Sequence, residues 1–519
     1  MKILLVSPGQ ATSLFTFSDV EDITGSPAYM PNLALPTLAA LTPPDFEVTV
    51  ADEMIEPIDP YLERHWDLVG ITGYITHHKR MFEVADEFRR RGILVAIGGP
   101  YATLSSSTVR RHADILFVGE AEQTWPEFLN DLRLERWKAE YRANAAVDIS
   151  SSPIPDTAKL RNQGYWMGVV QTSRGCPFEC EFCDVIIYLG RKQRHKTPER
   201  VVYEIERMYQ AGYRAIFLSD DNFTANKKKS HEIVRAIAEW NRTKPERTSF
   251  STQLSVDIVR DLELLRDCAE AGLTQAFIGL ETPNQDALRE VKKRQNVRSD
   301  LVADVHTIQN QGVMVQAGMI SGFDADTLDS FRNQYEFLQL AGIPMASITM
   351  LNAPEGTPLE KRLIQEKRLI ERPMDDFFLS TNIIPRQMSR RQLLYGTQWL
   401  LNKAYSPDSF LERVEVLGRN LPPTKRFESP APRASVLWRN MFYSFDLLGP
   451  EFSRVPRESL KLFRGKDTHA LGTALIFYKS VVSMLRREGL WEPRLATLEA
   501  PDFGSLPSSD YLPSEKAVA

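Results

Sequence analysis

Two successive series of short apolar runs alternate with helical segments, and this pattern constrains the fold more than any other feature. In the first series the runs are rich in β-branched residues and end at Gly, Pro or a polar residue. The segments between them, such as residues 80–92, place apolar residues at helical spacing. The runs occupy residues 2–8, 46–52, 68–74, 93–100 and 115–120. This alternation predicts a parallel sheet with helices on both faces, a doubly wound α/β domain over residues 1–140. Ligands of such a domain bind at the carboxyl ends of the strands.

The second series predicts a different α/β unit. Its candidate strands are residues 168–173, 214–219, 248–254, 274–281, 313–320 and 346–351. Six such units are too few for a closed eight-stranded barrel, so they predict a partial (β/α)6 barrel over residues 167–355. The remaining sequence predicts a linker over residues 141–166, a helical C-terminal region over 356–505 and a disordered tail over 506–519.

Charge and hydropathy exclude two classes of function. The net charge of −5 and the pI of about 6.0 give no general basic field for nucleic acid. The apolar run that follows Met1 is too short for a signal peptide, and no stretch of about 20 apolar residues predicts a membrane span. We therefore expect a cytoplasmic protein, with peripheral association with membrane lipid left open.

Three of the four cysteines lie within the sequence "SRGCPFECEFCD", residues 173–184. Cys176, Cys180 and Cys183 have the spacing C-x3-C-x2-C, which in a reducing compartment indicates metal or redox chemistry. A structural zinc site needs four ligands, and neither His195 nor Asp184 is well spaced to be the fourth. The pattern favours a cubane iron–sulfur cluster with one open iron, and zinc remains the alternative. Cys268 lies in a helical segment, and we expect it to be a small core residue.

The cysteine spacing, with Phe182 before the last cysteine, resembles the signature of radical S-adenosylmethionine (radical SAM) enzymes. The resemblance implies that the three cysteines hold a 4Fe-4S cluster and that Phe182 lies against the cofactor. It also implies that the open iron binds S-adenosylmethionine. The reduced cluster of the family cleaves this cofactor to a 5′-deoxyadenosyl radical, which abstracts a hydrogen atom.

Further cofactor contacts are implied at the carboxyl ends of the barrel strands. By the same resemblance, Asp220, Asp221 or Asn222 contacts the amino group of S-adenosylmethionine, or else caps the next helix. Gln253 contacts the ribose or carboxylate of the cofactor. Glu281 either contacts the cofactor or forms a buried ion pair. Arg174 and Arg194 flank the cysteines, where they balance the charge of the cluster or are simply solvated.

The first domain, placed before this barrel, resembles the Rossmann-like domain of cobalamin-binding radical SAM enzymes. The resemblance implies that the following residues line the strand ends beneath the corrin ring, with ordinary turn residues as the alternative: Gly98, Gly99, Gly119 and Glu120. One departure is that the D-x-H-x-x-G motif is absent, because Asp52 is followed by Met54 and Pro57. We expect cobalamin to bind without a protein histidine ligand. The alternatives are loss of cobalamin, or a corrin that faces His77 or His78, which are otherwise a solvated pair.

The whole arrangement resembles the subgroup that contains hopanoid C-2 methylases. This resemblance implies cobalamin-dependent methyl transfer to an unactivated carbon of a hydrophobic, lipid-like small molecule. It also implies an electron donor such as flavodoxin or ferredoxin. Ring closure or another carbon-skeleton reaction is a second hypothesis, because one architecture serves several chemistries. A non-catalytic iron–sulfur or zinc-binding protein is the third.

Overall fold

The computed structural model describes residues 1–506 apart from residues 12, 15–16, 18, 161–163, 298–299, 371–378 and 424–430. The predicted disordered tail therefore lies outside the described residues, except for Leu506. The strands are β1 (Lys2–Ser7), β2 (Glu47–Asp52), β3 (Leu68–Thr72), β4 (Leu94–Gly98), β5 (Ile115–Val118), β6 (Glu140–Arg142), β7 (Gly168–Val170), β8 (Ser173–Arg174), β9 (Arg194–His195), β10 (Ala215–Leu218), β11 (Ser249–Leu254), β12 (Leu273–Glu281), β13 (Met314–Ser321) and β14 (Met345–Met350).

Helices follow most of these strands. They are α1 (Glu21–Thr24), α2 (Ala34–Leu41), α3 (Asp59–Leu62), α4 (His78–Arg90), α5 (Pro100–Leu104), α6 (Ser106–Val109), α7 (Ala121–Arg133), α8 (Val185–Tyr188), α9 (Pro198–Gln210), α10 (Lys227–Arg242), α11 (Leu262–Ala271), α12 (Gln285–Glu290), α13 (Leu301–Asn310), α14 (Ser330–Ala341), α15 (Pro358–Gln365), α16 (Arg390–Ala404), α17 (Pro407–Asn420), α18 (Ala431–Leu447), α19 (Pro450–Leu462), α20 (Thr468–Arg487) and α21 (Pro493–Thr497).

The first sheet is parallel, with the strand order β2–β1–β3–β4–β5–β6. Alternate residues of each strand face opposite sides of the sheet. Leu4 of β1 packs in the layer that contains Phe88 of α4, and Leu5 packs in the layer that contains Trp125 and Phe128 of α7. Helices therefore cover both faces, and the predicted doubly wound arrangement is confirmed.

The second sheet is also parallel, with the order β14–β13–β12–β11–β10–β7. In the described part of the chain β7 and β14 are its two edge strands, so the barrel stays open between them. The predicted partial barrel of six strands is confirmed.

Other parts of the chain cover both edges of the open barrel. The Tyr405 hydroxyl donates to the carbonyl oxygen of Ala346 at 2.6 Å and accepts the Ala346 N–H at 3.1 Å. On the other side, Met167 donates its N–H to the Tyr29 carbonyl at 2.9 Å. These contacts give hydrogen-bond partners to backbone N–H and C=O groups at the two edges, which would otherwise have none.

The C-terminal region is helical, as predicted, and packs against the barrel. Helix α20 lies in the same apolar core as the barrel strands. Its Tyr478 hydroxyl donates to the Tyr405 carbonyl at 3.1 Å. Among the helices that the structure describes, none combines the length and the apolar character that a bilayer crossing requires.

Three short strands were not predicted. Strand β6 lies across the predicted boundary at residue 140 and extends the first sheet to six strands. Strands β8 and β9 have two residues each and pair antiparallel. Their sequences, "EYR", "SR" and "RH", are too short and too polar to show a strand period.

Candidate active site

The cysteine loop, residues 175–193, is closed at its base by the pair of strands β8 and β9. In this pair Ser173 lies opposite His195. Gly175, the first residue of the loop, has a φ of +88°. A Cβ at this position would lie 2.9 Å from the carbonyl oxygens of both Gly190 and Lys192. Only glycine fits there, so Gly175 lets the chain turn directly into the cysteines.

The three thiols of this loop are largely withdrawn from water. Cys180 is buried, and Cys176 and Cys183 are partly buried. Burial raises the pKa of the Cys176 and Cys183 thiols, and the charge of Lys293 opposes that rise. Negative charge on Cys180 also raises the pKa of both other thiols. Gln295 donates its Nε2–H to the Cys180 Sγ at 3.6 Å.

The type of donor suits a cluster, because the three side chains are cysteine thiols, which are soft ligands. In the described residues, no group of three or more His, Cys, Asp or Glu side chains is placed to hold one metal ion. Zinc requires its ligands to converge at about 2.0–2.3 Å from one point. In a cubane each cysteine binds a different iron, so the thiolates surround a larger object. The charge of the irons would also favour the thiolate forms that burial disfavours.

Asp220, at the carboxyl end of β10, is buried and fully engaged with the chain that follows β7. Its carboxylate accepts the backbone N–H groups of Thr172 at 2.8 Å and Ser173 at 2.9 Å. It also accepts both of their hydroxyls. These bonds fix the path of the backbone into strand β8.

Asp221 and Asn222 have fewer hydrogen-bond partners than Asp220, and their partners are different. Asp221 accepts the Gly175 N–H at 3.0 Å, and burial raises the pKa of its carboxyl to about 6. Asn222 is buried and donates its Nδ2–H to the Ser255 Oγ at 2.6 Å. Asp221 is therefore the carboxylate that an ammonium group at this strand end would meet.

Glu281 forms the buried ion pair that the sequence left open as an alternative. Its Oε1 accepts from the Lys293 Nζ at 2.6 Å. The Lys293 Nζ also lies 5.9 Å from the centroid of the Phe182 ring. The ring centroids of Phe182 and Phe323 are 6.1 Å apart. Gln253 instead faces a cavity between the two sheets.

The predicted glycines of the first domain lie where parallel strands end. Gly99 has a φ of +94°, and a Cβ there would lie 2.4 Å from the Thr72 Oγ1. Gly119 has a φ of +88°, and its Cβ would lie 2.9 Å from the Ala143 Cβ. Local packing thus requires glycine at both positions, and with Gly98 these residues leave the strand ends without side chains.

Glu120 does not present a free carboxylate to a ligand. It accepts from Arg174 at 2.8 Å, from Arg194 at 2.7 Å and from the Val147 N–H at 2.9 Å. Glu122 also accepts from Arg174. The two arginines beside the cysteine loop are therefore paired with the first domain, and the alternative that they are simply solvated is wrong.

One cavity of about 750 Å³ opens to the carboxyl ends of both sheets. Seven predicted residues line it: Gly98, Gly99, Gly119, Glu120, Asp220, Asp221 and Gln253. Others lie outside its lining: Cys176, Cys180, Cys183, Phe182, Asn222 and Glu281. The cysteine loop reaches the cavity through its residues Asp184, Val185, Tyr188 and Leu189, and Arg174, just before the loop, also lines the cavity. Both domains therefore line the same cavity.

His77 lines this cavity but is not solvated. It is buried, and burial lowers the pKa of its ring to about 4. Its Nδ1 accepts the Tyr74 N–H at 3.2 Å. Asp52 is occupied as well, because its Oδ2 accepts the Tyr165 hydroxyl at 2.8 Å. The alternative of a solvated histidine pair is wrong for His77.

Sequence reasoning missed Lys293, Gln295 and Glu122. Lys293 and Gln295 lie in "VKKRQN", where nothing in the sequence distinguishes a buried lysine from its exposed neighbours. Glu122 lies in the first turn of α7, where an acidic residue is ordinary because it faces the positive end of the helix dipole. Their partners are distant in sequence, so only the folded chain reveals them.

Comparison with known proteins agrees with this geometry. The radical SAM superfamily profile matches residues 170–338, and a domain of unknown function, DUF4070, matches residues 357–449. An uncharacterized methyltransferase of Synechocystis is 33% identical over 392 residues, which cover 74% of this chain and 73% of that protein. The chain belongs to the radical SAM superfamily.

Two further comparisons refine this assignment. The hopanoid C-2 methylase of Rhodopseudomonas palustris is 28% identical over 469 residues, or 86% of each chain. The solved structure of the radical SAM enzyme OxsB, with aqua-cobalamin and S-adenosylmethionine bound, has a TM-score of 0.61. It is 14% identical and covers 94% of this chain and 80% of its own, which shows a shared fold. The predicted radical SAM family and methyltransferase type are confirmed, and the chain shares its fold with a cobalamin-dependent radical SAM enzyme.

Proposed function

We propose that this protein is a cobalamin-dependent radical SAM methyltransferase that acts on an unactivated carbon of a hydrophobic small molecule. The observation that carries this proposal is the single cavity at the carboxyl ends of both sheets. In α/β folds these ends are where cofactors bind. A methyl carrier on one wall and a radical source on the other would therefore meet the same substrate.

The chain's own residues suggest how the cofactors are held. Cys176, Cys180 and Cys183 would bind the cluster, and Asp221 would accept from the amino group of S-adenosylmethionine. The corrin would lie against the bare strand ends, where Gly98, Gly99 and Gly119 line the cavity. When bound, the cofactors supply the methyl group and the radical chemistry, and the protein orients the substrate and excludes water.

A hydrophobic substrate is supported by aromatic side chains on the cavity wall. Phe17 and Tyr29 line the cavity, and their rings stack with centroids 4.0 Å apart. Phe217 and Phe277 line it from strands β10 and β12. Such walls suit a flat or multi-ring apolar molecule, including a lipid, better than a charged one.

The remaining expectations belong to this proposal. The enzyme would take electrons from a donor such as flavodoxin or ferredoxin, work in the cytoplasm and touch membrane lipid only peripherally. Its first domain would extend past residue 140 to include β6. Ring closure is not favoured, because the two relatives described above, matched over 74% and 86% of this chain, are a methyltransferase and a methylase.

The test is anaerobic reconstitution with iron, sulfide and cobalamin, followed by reduction and addition of S-adenosylmethionine. We expect 5′-deoxyadenosine and S-adenosylhomocysteine, corrin retained on the protein, and about four irons per chain. Alanine at Cys176, Cys180 or Cys183 removes one cluster ligand, so we expect loss of iron and of 5′-deoxyadenosine.

The matched control is Cys268→Ala. Cys268 is buried in the core on α11, so its replacement should leave iron content and both products unchanged. An intact, reduced cluster that yields neither product would contradict the proposal. Both products without corrin binding would contradict only the cobalamin part.

A further inference from the structure

A short turn after strand β12 reaches the cysteine loop from outside the cavity. We call residues 291–296 the lysine turn. The Val291 carbonyl accepts the N–H of Glu181, in the cysteine loop, at 3.0 Å. Gln295 donates to the Cys180 Sγ. The turn is therefore fixed to the loop by its backbone and by a side chain.

The turn also holds an irregular end of strand β12. The register shifts between Gly279 and Glu281, and Glu281 has a φ of +66°. Asn296 donates its Nδ2–H to the carbonyls of Gly279 at 2.9 Å and Leu280 at 3.1 Å. Positive φ is unfavourable for glutamate, so this conformation persists because the surrounding structure holds it.

The irregular end brings a carboxylate to Lys293. A Cβ on Gly279 would lie 2.3 Å from the Glu281 Oε1 and 2.9 Å from the Lys293 Nζ. Glycine at residue 279 thus leaves the space in which the ion pair forms. The side chains of Lys293 and Glu281 are 12% and 7% exposed, so solvent screens their charges little.

Lys293 places its positive charge beside the cysteine loop. Its Nζ lies 5.9 Å from the centroid of the Phe182 ring, and Phe182 directly precedes Cys183. A cluster gains one negative charge when it is reduced, so a nearby positive charge favours the reduced state. The carboxylate of Glu281 acts in the opposite direction and cancels part of this effect.

We propose that Lys293 is a positioning residue that raises the reduction potential of the cluster, and that Glu281 limits the rise. The inference rests on the proposed function, because it needs a cluster on the three cysteines. The step concerned is transfer of one electron from an external donor to that cluster.

The test is the midpoint potential of the reconstituted full-length protein, titrated without S-adenosylmethionine so that no cofactor contact intervenes. We expect Lys293→Met to make the potential more negative and Glu281→Gln to make it less negative. Lys293→Arg keeps the charge and should stay close to the wild type. The double variant Lys293→Met with Glu281→Gln should lie between the two single variants.

The matched control is Lys292→Met, which removes the same charge from the adjacent, exposed position. We expect it to leave the potential unchanged. A merely structural role for Lys293 and Glu281 predicts that both variants lose iron or shift the potential in the same direction, and this result would overturn the inference. If the wild type binds no cluster, the proposed function itself fails. If cluster content is normal and neither variant shifts the potential, only this inference fails.

Discussion

At the scale of single residues, the two neighbouring aspartates at the end of β10 have different roles. Asp220 is surrounded by four donors and orders the backbone that enters the cysteine loop. Asp221 accepts a backbone N–H, faces the cavity and has a raised pKa. The sequence "SDDN" predicts polar groups at this strand end but cannot tell which one faces the ligand, because the direction of each side chain depends on contacts with Thr172 and Gly175.

The raised pKa of Asp221 predicts a gain in stability on its removal. Its pKa is raised from 3.8 to about 6, so the ionised carboxylate destabilises the folded state above the unfolded pKa. We expect Asp221→Asn to stabilise the cofactor-free protein by up to about 3 kcal/mol at pH 7.5. The gain should shrink as the pH falls through about 6 toward 4. Thermal unfolding of both proteins at pH 5 and pH 7.5 measures this difference, and an equal or larger gain at pH 5 would count against it.

At the scale of elements, most strands of the two sheets were predictable because they are apolar runs between turn residues. The short strands β6, β8 and β9 were not, since they are defined by pairing and not by their own hydropathy. The irregular end of β12 was equally hidden, because Glu281 looks like an ordinary strand terminus in the sequence. Contacts distant in sequence set the geometry that matters most for the site.

The cover of the edge strand β14 can be tested at Tyr405, the residue that follows helix α16. Its hydroxyl satisfies both the N–H and the carbonyl of Ala346, which are buried. We expect Tyr405→Phe to cost about 1–3 kcal/mol, because both groups lose their partner. A lower apparent Tm is the measurement, with Tyr443→Phe as the control, since Tyr443 is 64% exposed. An equal Tm for the two variants would show that the edge of β14 does not need this contact.

At the scale of the whole molecule, the strand ends of both sheets line the same cavity, and ion pairs join the two domains there. Glu120 and Glu122 extend from the end of the first sheet to Arg174 and Arg194, which frame the cysteine loop. The order of the two domains along the chain was predictable from the sequence. The direction in which they face was not, because it depends on this buried cluster of charges.

The central claim is that three cysteines hold a cluster whose remaining iron is open to S-adenosylmethionine. Electron–nuclear double resonance on the reduced, reconstituted full chain tests it most directly, with S-adenosylmethionine labelled with ¹⁵N at its amino group. The account predicts a hyperfine coupling between the labelled nitrogen and the cluster, and its loss when cluster assembly is abolished by Cys183→Ala. A reduced cluster that shows no such coupling while the labelled cofactor is bound would contradict the account.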